Sequence, residues 1–121
     1  MITKIDGIGI DIVEIKEIEA KLSNAFINRI LSQKELAYFN TITHSKRKLQ
    51  YLAGRFAGKE AYTKAYGSFD TPLNFKDVSI LHDANNAPYI ISSYRPHDII
   101  KISISHSKTY ATAIVMVDRQ P

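Results

Sequence analysis

The feature that most constrains this chain is a long helical pattern over residues 45–66 with an acid set into its apolar stripe. Projected at ~100° per residue, Leu49, Leu52, Ala53 and Phe56 share one face, and Glu60 falls in the middle of that face. A carboxylate there is costly to bury unless a cation or a metal neutralises it. Lys64, four residues on, stands at the edge of the same face, and Arg55 and Lys59 flank the opposite edge. Residues 55–64, RFAGKEAYTK, therefore admit two readings. One is an ordinary Glu60–Lys64 helix pair with the alkyl stem laid along the surface. The other is an acid fringed by bases, a pattern that suits a metal-bound phosphate.

Around this helix the remaining elements follow from periodicity. Residues 7–12, GIGIDI, alternate strictly, as a strand does, with Ile8, Ile10 and Ile12 on one face and Gly7, Gly9 and Asp11 on the other. The two glycines leave room for something bulky beside the acid. Asp11 is equally suited to cap a following helix. From Val13 the pattern turns helical through Ile15, Ile18 and Leu22, and Phe26, Ile27, Ile30 and Leu31 make a further short apolar segment. Ser32 and Glu35 have the spacing of a capping box opening a helix to about Phe39. Ser45 is the expected N-cap of the long helix, which ends near Gly67, with His44 in the preceding loop. Residues 68–74 read as a loop broken by Pro72. Strands are expected over 78–81, 89–92, 100–106 and 110–117, the first two joined by the turn DANNAP and the last two by Ser107-Lys108-Thr109. The order predicts an α+β fold, with helices packed on an antiparallel sheet.

Length and composition narrow the function classes. With 121 residues, the chain suits one domain spanning 1–121, large enough for a core but not for a deep cleft of its own. It has no cysteine, which excludes disulfides, thiolate metal sites and a cysteine nucleophile. No apolar run is long enough to span a bilayer and no secretory pattern opens the chain, so a cytoplasmic protein without a membrane role is expected. The net charge of +4 favours an anionic partner. Lys46, Arg47 and Lys48 form the one dense basic cluster, which reads as a solvated helix end. Nothing like a recognition helix or an aromatic-lined strand supports nucleic-acid binding.

Three separated segments thus offer groups for an anionic, metal-bearing substrate: Asp11, Glu60 and the His106-Ser107-Lys108 turn. Two carboxylates completed by phosphate oxygens and water are a usual way to hold magnesium. Lysine and arginine beside them would meet phosphate oxygens. No nucleophile elbow, Walker sequence or zinc-protease motif is present.

The stretches GIGIDIVEI, LAGRFAGKEAYTKAYG and ISISHSKTYATAIV, in that order and at that spacing, resemble the bacterial holo-acyl-carrier-protein synthases, the small type of 4′-phosphopantetheinyl transferase. The likeness covers essentially the whole chain. It implies magnesium-dependent transfer of 4′-phosphopantetheine from coenzyme A to a serine of acyl carrier protein. Adenosine 3′,5′-bisphosphate would be released, in support of fatty acid biosynthesis. It further implies that Asp11 and Glu60 are magnesium ligands and that Lys64 lies near the diphosphate, all three in the catalytic centre. Arg55, Lys64, His106, Ser107 and Lys108 match positions that hold the nucleotide and its phosphates. The resemblance also implies a homotrimer with active sites between subunits. The residues leave the general base open, between Glu60 and a metal-bound water held by Asp11.

The chain departs from the family pattern at four places. Gly58 stands where alanine is common, residues 68–70 replace part of a G-x-G loop, and the segment between Ile91 and Ile99 is short. Glu17 occupies a first-helix position where relatives often carry an arginine that meets the carrier protein.

Overall fold

The computed structural model describes residues 2–67 and 73–121. The chain runs β1 (Gly7–Glu14), α1 (Ile15–Ala20), α2 (Asn24–Ile30), α3 (Gln33–Phe39) and α4 (Ser45–Tyr66). After a single 3-10 turn at Phe75–Asp77 come β2 (Val78–His82), β3 (Pro88–Ser92), β4 (Ile99–His106) and β5 (Tyr110–Asp118). Among the described residues, β1, β5 and β4 form one antiparallel sheet in that order, and β2 and β3 form a separate hairpin. The α+β architecture expected from the pattern is the one observed. Residues 68–70 and Pro72 lie outside the described residues. No described helix is long and apolar enough to cross a membrane.

Local differences from the sequence reading have simple causes. β1 continues through Val13 and Glu14, because both residues still pair with β5, at Ala111 and Tyr110. Asp11 is therefore mid-strand and caps nothing. Helix α4 begins at Ser45 with His44 as its N-cap and no side-chain capping bond, so the polar Ser45 already belongs to the first turn. The Ser32–Glu35 capping box is present, and Gly67 ends α4 with φ 75, a backbone region that favours glycine.

Helix α4 lies across the sheet on the face that carries Gly7, Gly9, Ala111, Ala113, Val115 and Val117. An alanine Cβ built at Gly7 would sit 2.0 Å from the Ala65 carbonyl oxygen, and one at Gly9 would sit 2.0 Å from that of Ala61. The room left by the two glycines is thus filled by the helix backbone itself. Small residues on the helix side, Ala57, Ala61 and Ala65, complete the close approach. At Gly58 the ideal Cβ position lies 2.6 Å from Ile80 Cδ1, so an alanine there would need that side-chain end to shift.

The buried charge on α4 is Lys59. Expected at the fringe, it is fully buried and pairs with the equally buried Glu35 of α3. Its ammonium also donates to the carbonyls of Ile30, at 2.6 Å, and Phe75, at 2.9 Å. Glu35 accepts in addition from the backbone N–H of Ser32 and of Ile80, both at 2.8 Å. Burial pushes the Lys59 pKa down and the Glu35 charge opposes that shift. Every donor and acceptor of the pair has a partner, which is the condition for an ion pair to be tolerated at this depth.

Gly9→Ala tests the helix–strand seam. The added methyl cannot be accommodated without lifting α4 from β1, so a loss of about 3 kcal/mol is expected. Urea unfolding followed by circular dichroism should show the midpoint falling with an unchanged slope. A midpoint equal to that of the parent would contradict the close approach.

Candidate active site

The seam delivers two polar groups of α4 to the acid of β1. Lys64 Nζ donates to Asp11 Oδ1 at 3.0 Å and to the Ile10 carbonyl at 3.1 Å. The Asp11 side chain is 14% exposed, whereas that of Lys64 is 54% exposed, so the pair sits at the rim of the seam rather than in the core. Glu60, one turn before Lys64, is half-buried rather than centred on the buried face. Residues flanking it at 57–59 and 61–62 take up the burial instead. Its pKa is raised by burial first and by the neighbouring Asp11 charge second, with Lys64 pulling the other way. A carboxyl raised in this way stabilises the fold while protonated, below its unfolded value. That contribution is lost as pH rises through the folded value. The ionised form of Glu60 therefore carries a cost that a bound cation would offset.

This arrangement fits a magnesium ion. The donors are hard carboxylate oxygens, and one lysine offsets two acids, leaving an excess of negative charge. Among the described residues no group of three or more potential ligand side chains occurs. The protein would supply two ligands and leave the rest to water and substrate, as magnesium sites commonly do.

The remaining candidates do not all join this cluster. Arg55 and His106 lie on the other flank of α4, toward β4, where they line a groove of about 340 Å³ with Arg47, Tyr51 and His82. Arg55 donates through Nε to the Ile80 carbonyl at 3.1 Å and lies over the Tyr51 ring, its Cζ 4.2 Å from the centroid. Burial lifts the Tyr51 hydroxyl to about 12, against the lowering effect of Arg55. Ser107 is exposed and bonds within its own turn: its Oγ accepts from the N–H groups of Thr109 and Tyr110, both at 3.1 Å, which closes the hairpin. Lys108 faces a different, more apolar groove beside Ile15 and Lys16 of α1. The turn thus sends His106 and Lys108 to separate surfaces.

Sequence reasoning missed the partnership of Lys59 with Glu35 and the groove's Tyr38, Tyr51 and His82. The capping box marks Glu35, but nothing in the local spacing signals its second bond across the fold. Arg47, read as part of a solvated cluster, lines the groove.

A family model described as the 4′-phosphopantetheinyl transferase superfamily matches residues 7–115. The chain belongs to that superfamily. It is 42% identical over 116 residues to the holo-[acyl-carrier-protein] synthase of Bacillus subtilis, covering 93% of this chain and 95% of the relative. It is 40% identical over 114 residues to that of Acholeplasma laidlawii, covering 94% and 97%. The crystal structure of a holo-(acyl-carrier-protein) synthase from Bacillus anthracis in complex with CoA (3′,5′-ADP) superposes with a TM-score of 0.86 at 39% identity. That match covers 96% of this chain and 98% of the other. This member of the superfamily is thus an enzyme of the phosphopantetheinyl transferase type, with the fold of the solved synthases.

Carbon-detected titration of the Glu60 carboxyl tests the electrostatics of the cluster. In the metal-free transferase it should titrate above the ordinary glutamate range. Asp11→Asn should lower its midpoint, and Lys64→Met should raise it further. Insensitivity to both substitutions would show that the three groups do not form one site.

Proposed function

We propose that this transferase moves 4′-phosphopantetheine from coenzyme A to a serine of apo acyl carrier protein, releasing adenosine 3′,5′-bisphosphate. The reading is carried by the convergence of Asp11, Glu60 and Lys64 where β1 meets α4. The serine Oγ forms a bond to the phosphorus that bears pantetheine, and the bond from that phosphorus to the bridging diphosphate oxygen breaks. Such a transfer depends on positioning and charge neutralisation more than on covalent help from the protein. Lys64, anchored by Asp11, supplies positive charge beside the diphosphate. The serine proton passes to a base of this cluster, either Glu60 or a water on a magnesium ion held by Asp11. Asp11 and Glu60 would hold magnesium, which when bound neutralises charge on the diphosphate and on the departing bisphosphate. Arg55 and His106 bind the nucleotide portion, with Ser107 shaping their hairpin and Lys108 contributing from the neighbouring groove.

In this reading residues 1–121 act as one domain and assemble as a homotrimer with the active site between protomers. Two observations support assembly. Ile8, Ile10 and Ile12 are 57%, 62% and 64% exposed on the sheet face opposite α4, an apolar stripe that a neighbouring copy would cover. Asp11 and His106 lie on opposite edge strands of the sheet with β5 between them, two strand spacings or about 10 Å apart across it. A neighbouring protomer would bring the groove of one copy to the carboxylates of another. Lys16, Lys21 and Arg29 are exposed on α1, its C-cap and α2, where they could meet an acidic carrier protein, with Glu17 reducing the positive field. The proposed setting is the cytoplasm and fatty acid biosynthesis, with no nucleic-acid or membrane partner.

Incubation with apo acyl carrier protein, coenzyme A and magnesium, read by intact mass, should show one phosphopantetheine added per carrier. Asp11→Ala and Glu60→Ala should each slow the transfer by roughly a hundredfold or more while leaving the protein folded. No mass gain with several bacterial carrier proteins, under conditions where a known synthase works, would overturn the reading.

A further inference from the structure

Lys108 faces a groove of about 780 Å³ that takes residues from all four helices. Leu22, Ile27, Leu36, Phe39 and Leu49 give it a mainly apolar lining. Ile27, Leu36 and Leu49 are half-buried and Leu22 is exposed, so this surface is open to a ligand rather than closed into the core. Lys16, Lys46, Lys48 and Lys108 line the same groove against one acid, Glu19. Among the described residues none of these four lysines is in a salt bridge. Lys48 alone of the four is half-buried, and its ammonium stands over the Phe39 ring, 4.6 Å from the centroid. Asp11, Glu60 and Lys64 do not line this groove, and neither do Lys21 and Arg29, the other two cations offered above to a carrier protein.

We propose that this groove binds a free long-chain fatty acid, with the carboxylate held by Lys48 and the alkyl chain laid along Phe39, Leu36, Leu49 and Leu22. The volume falls in the range of small-molecule sites. Its lining joins two kinds of chemistry, an extended apolar surface and cations that have no anion of their own. That combination calls for a ligand with a long apolar body and a single anionic end. A polyanion would leave the leucines and Ile27 uncovered, and a neutral hydrocarbon would leave the lysines unused. Lys48 is the anchor because its ammonium already lies against apolar surface, where water and salt screen an ion pair less than at the exposed Lys16 and Lys46. A carboxylate bonded to Lys48 brings its first methylenes beside the Phe39 ring. Lys16 and Lys46 add positive field, and each methylene covered by the lining adds to affinity.

The test is isothermal titration of the full chain, without coenzyme A, with octanoate, decanoate and dodecanoate below their micelle concentrations. Binding should tighten by on the order of tenfold for each two methylenes added. Dodecyltrimethylammonium, with a comparable chain and a cationic head, should not bind. Lys48→Met should weaken dodecanoate about tenfold, as expected for loss of one charged hydrogen bond, and Lys48→Arg should restore most of the affinity. Leu22→Glu, at an exposed position that the fold does not need, should weaken it further by setting a like charge beside the chain. Circular dichroism of each variant checks that it is folded. No binding of dodecanoate, affinity independent of chain length, equal binding of the cationic amphiphile, or full affinity in Lys48→Met would each overturn the assignment. So would capture by phosphatidylglycerol vesicles that depends on Lys48 while dodecanoate fails to bind, since the groove would then serve a membrane surface.

Discussion

The backbone-to-backbone approach of α4 to β1 is the contact on which the rest of the structure depends. Gly7 and Gly9 bring the strand against the carbonyl oxygens of Ala65 and Ala61, closer than any side chain would allow. Because the helix lies this near, Lys64 reaches both the carboxylate and the backbone of the adjoining strand residues, at 3.0 and 3.1 Å. Glu60 is held within the field of the Asp11 carboxylate for the same reason. Burial of small apolar surface along the seam stabilises an arrangement that then concentrates two acids at its rim. The unfavourable charge of Glu60 is the local cost of that geometry.

The second constraint sits one residue away on the helix. Lys59 ties α4 to the end of α2, to the start of α3 and to the turn at Phe75 through a single ammonium. Glu35 in turn grips the amide of Ile80 in β2. The hairpin carrying His82 and the helix carrying Arg55 are thus linked through a buried pair, and Arg55 itself reaches the carbonyl of the same Ile80. Neighbouring residues of one helix turn serve separate purposes: Lys59 points into the fold and holds the frame, and Glu60 points to the rim.

Much of this was legible in the sequence, and what escaped did so for identifiable reasons. Strand alternation in GIGIDI, the capping box at Ser32 and Glu35 and the close of α4 at Gly67 are local signals, and all three appear in the fold. Asp11, Glu60 and Lys64 were recognisable as chemistry-bearing residues, and the structure brings them together. A helical projection could not decide which charged residue of the Lys59-Glu60 dipeptide turns inward. That choice is made by Glu35 and two carbonyls from other segments, all remote in sequence. Likewise the turn at Ser107 reads as one unit, although its flanking residues His106 and Lys108 line different grooves. The ring contact of Tyr38 with His82 depends on packing between α3 and β2, for which no periodicity gives notice.

If Asp11 and Lys64 act as one unit, their effects on transfer must not be independent. A kinetic double-mutant cycle measures this directly, using kcat/KM for phosphopantetheine transfer by the parent, Asp11→Asn, Lys64→Met and the double variant. The predicted result is a double variant scarcely slower than the slower single variant, because either substitution already dismantles the pair. Losses that multiply in the double variant would mean that the two residues work separately, and the cluster at the helix–strand seam would not be the functional centre of the fold.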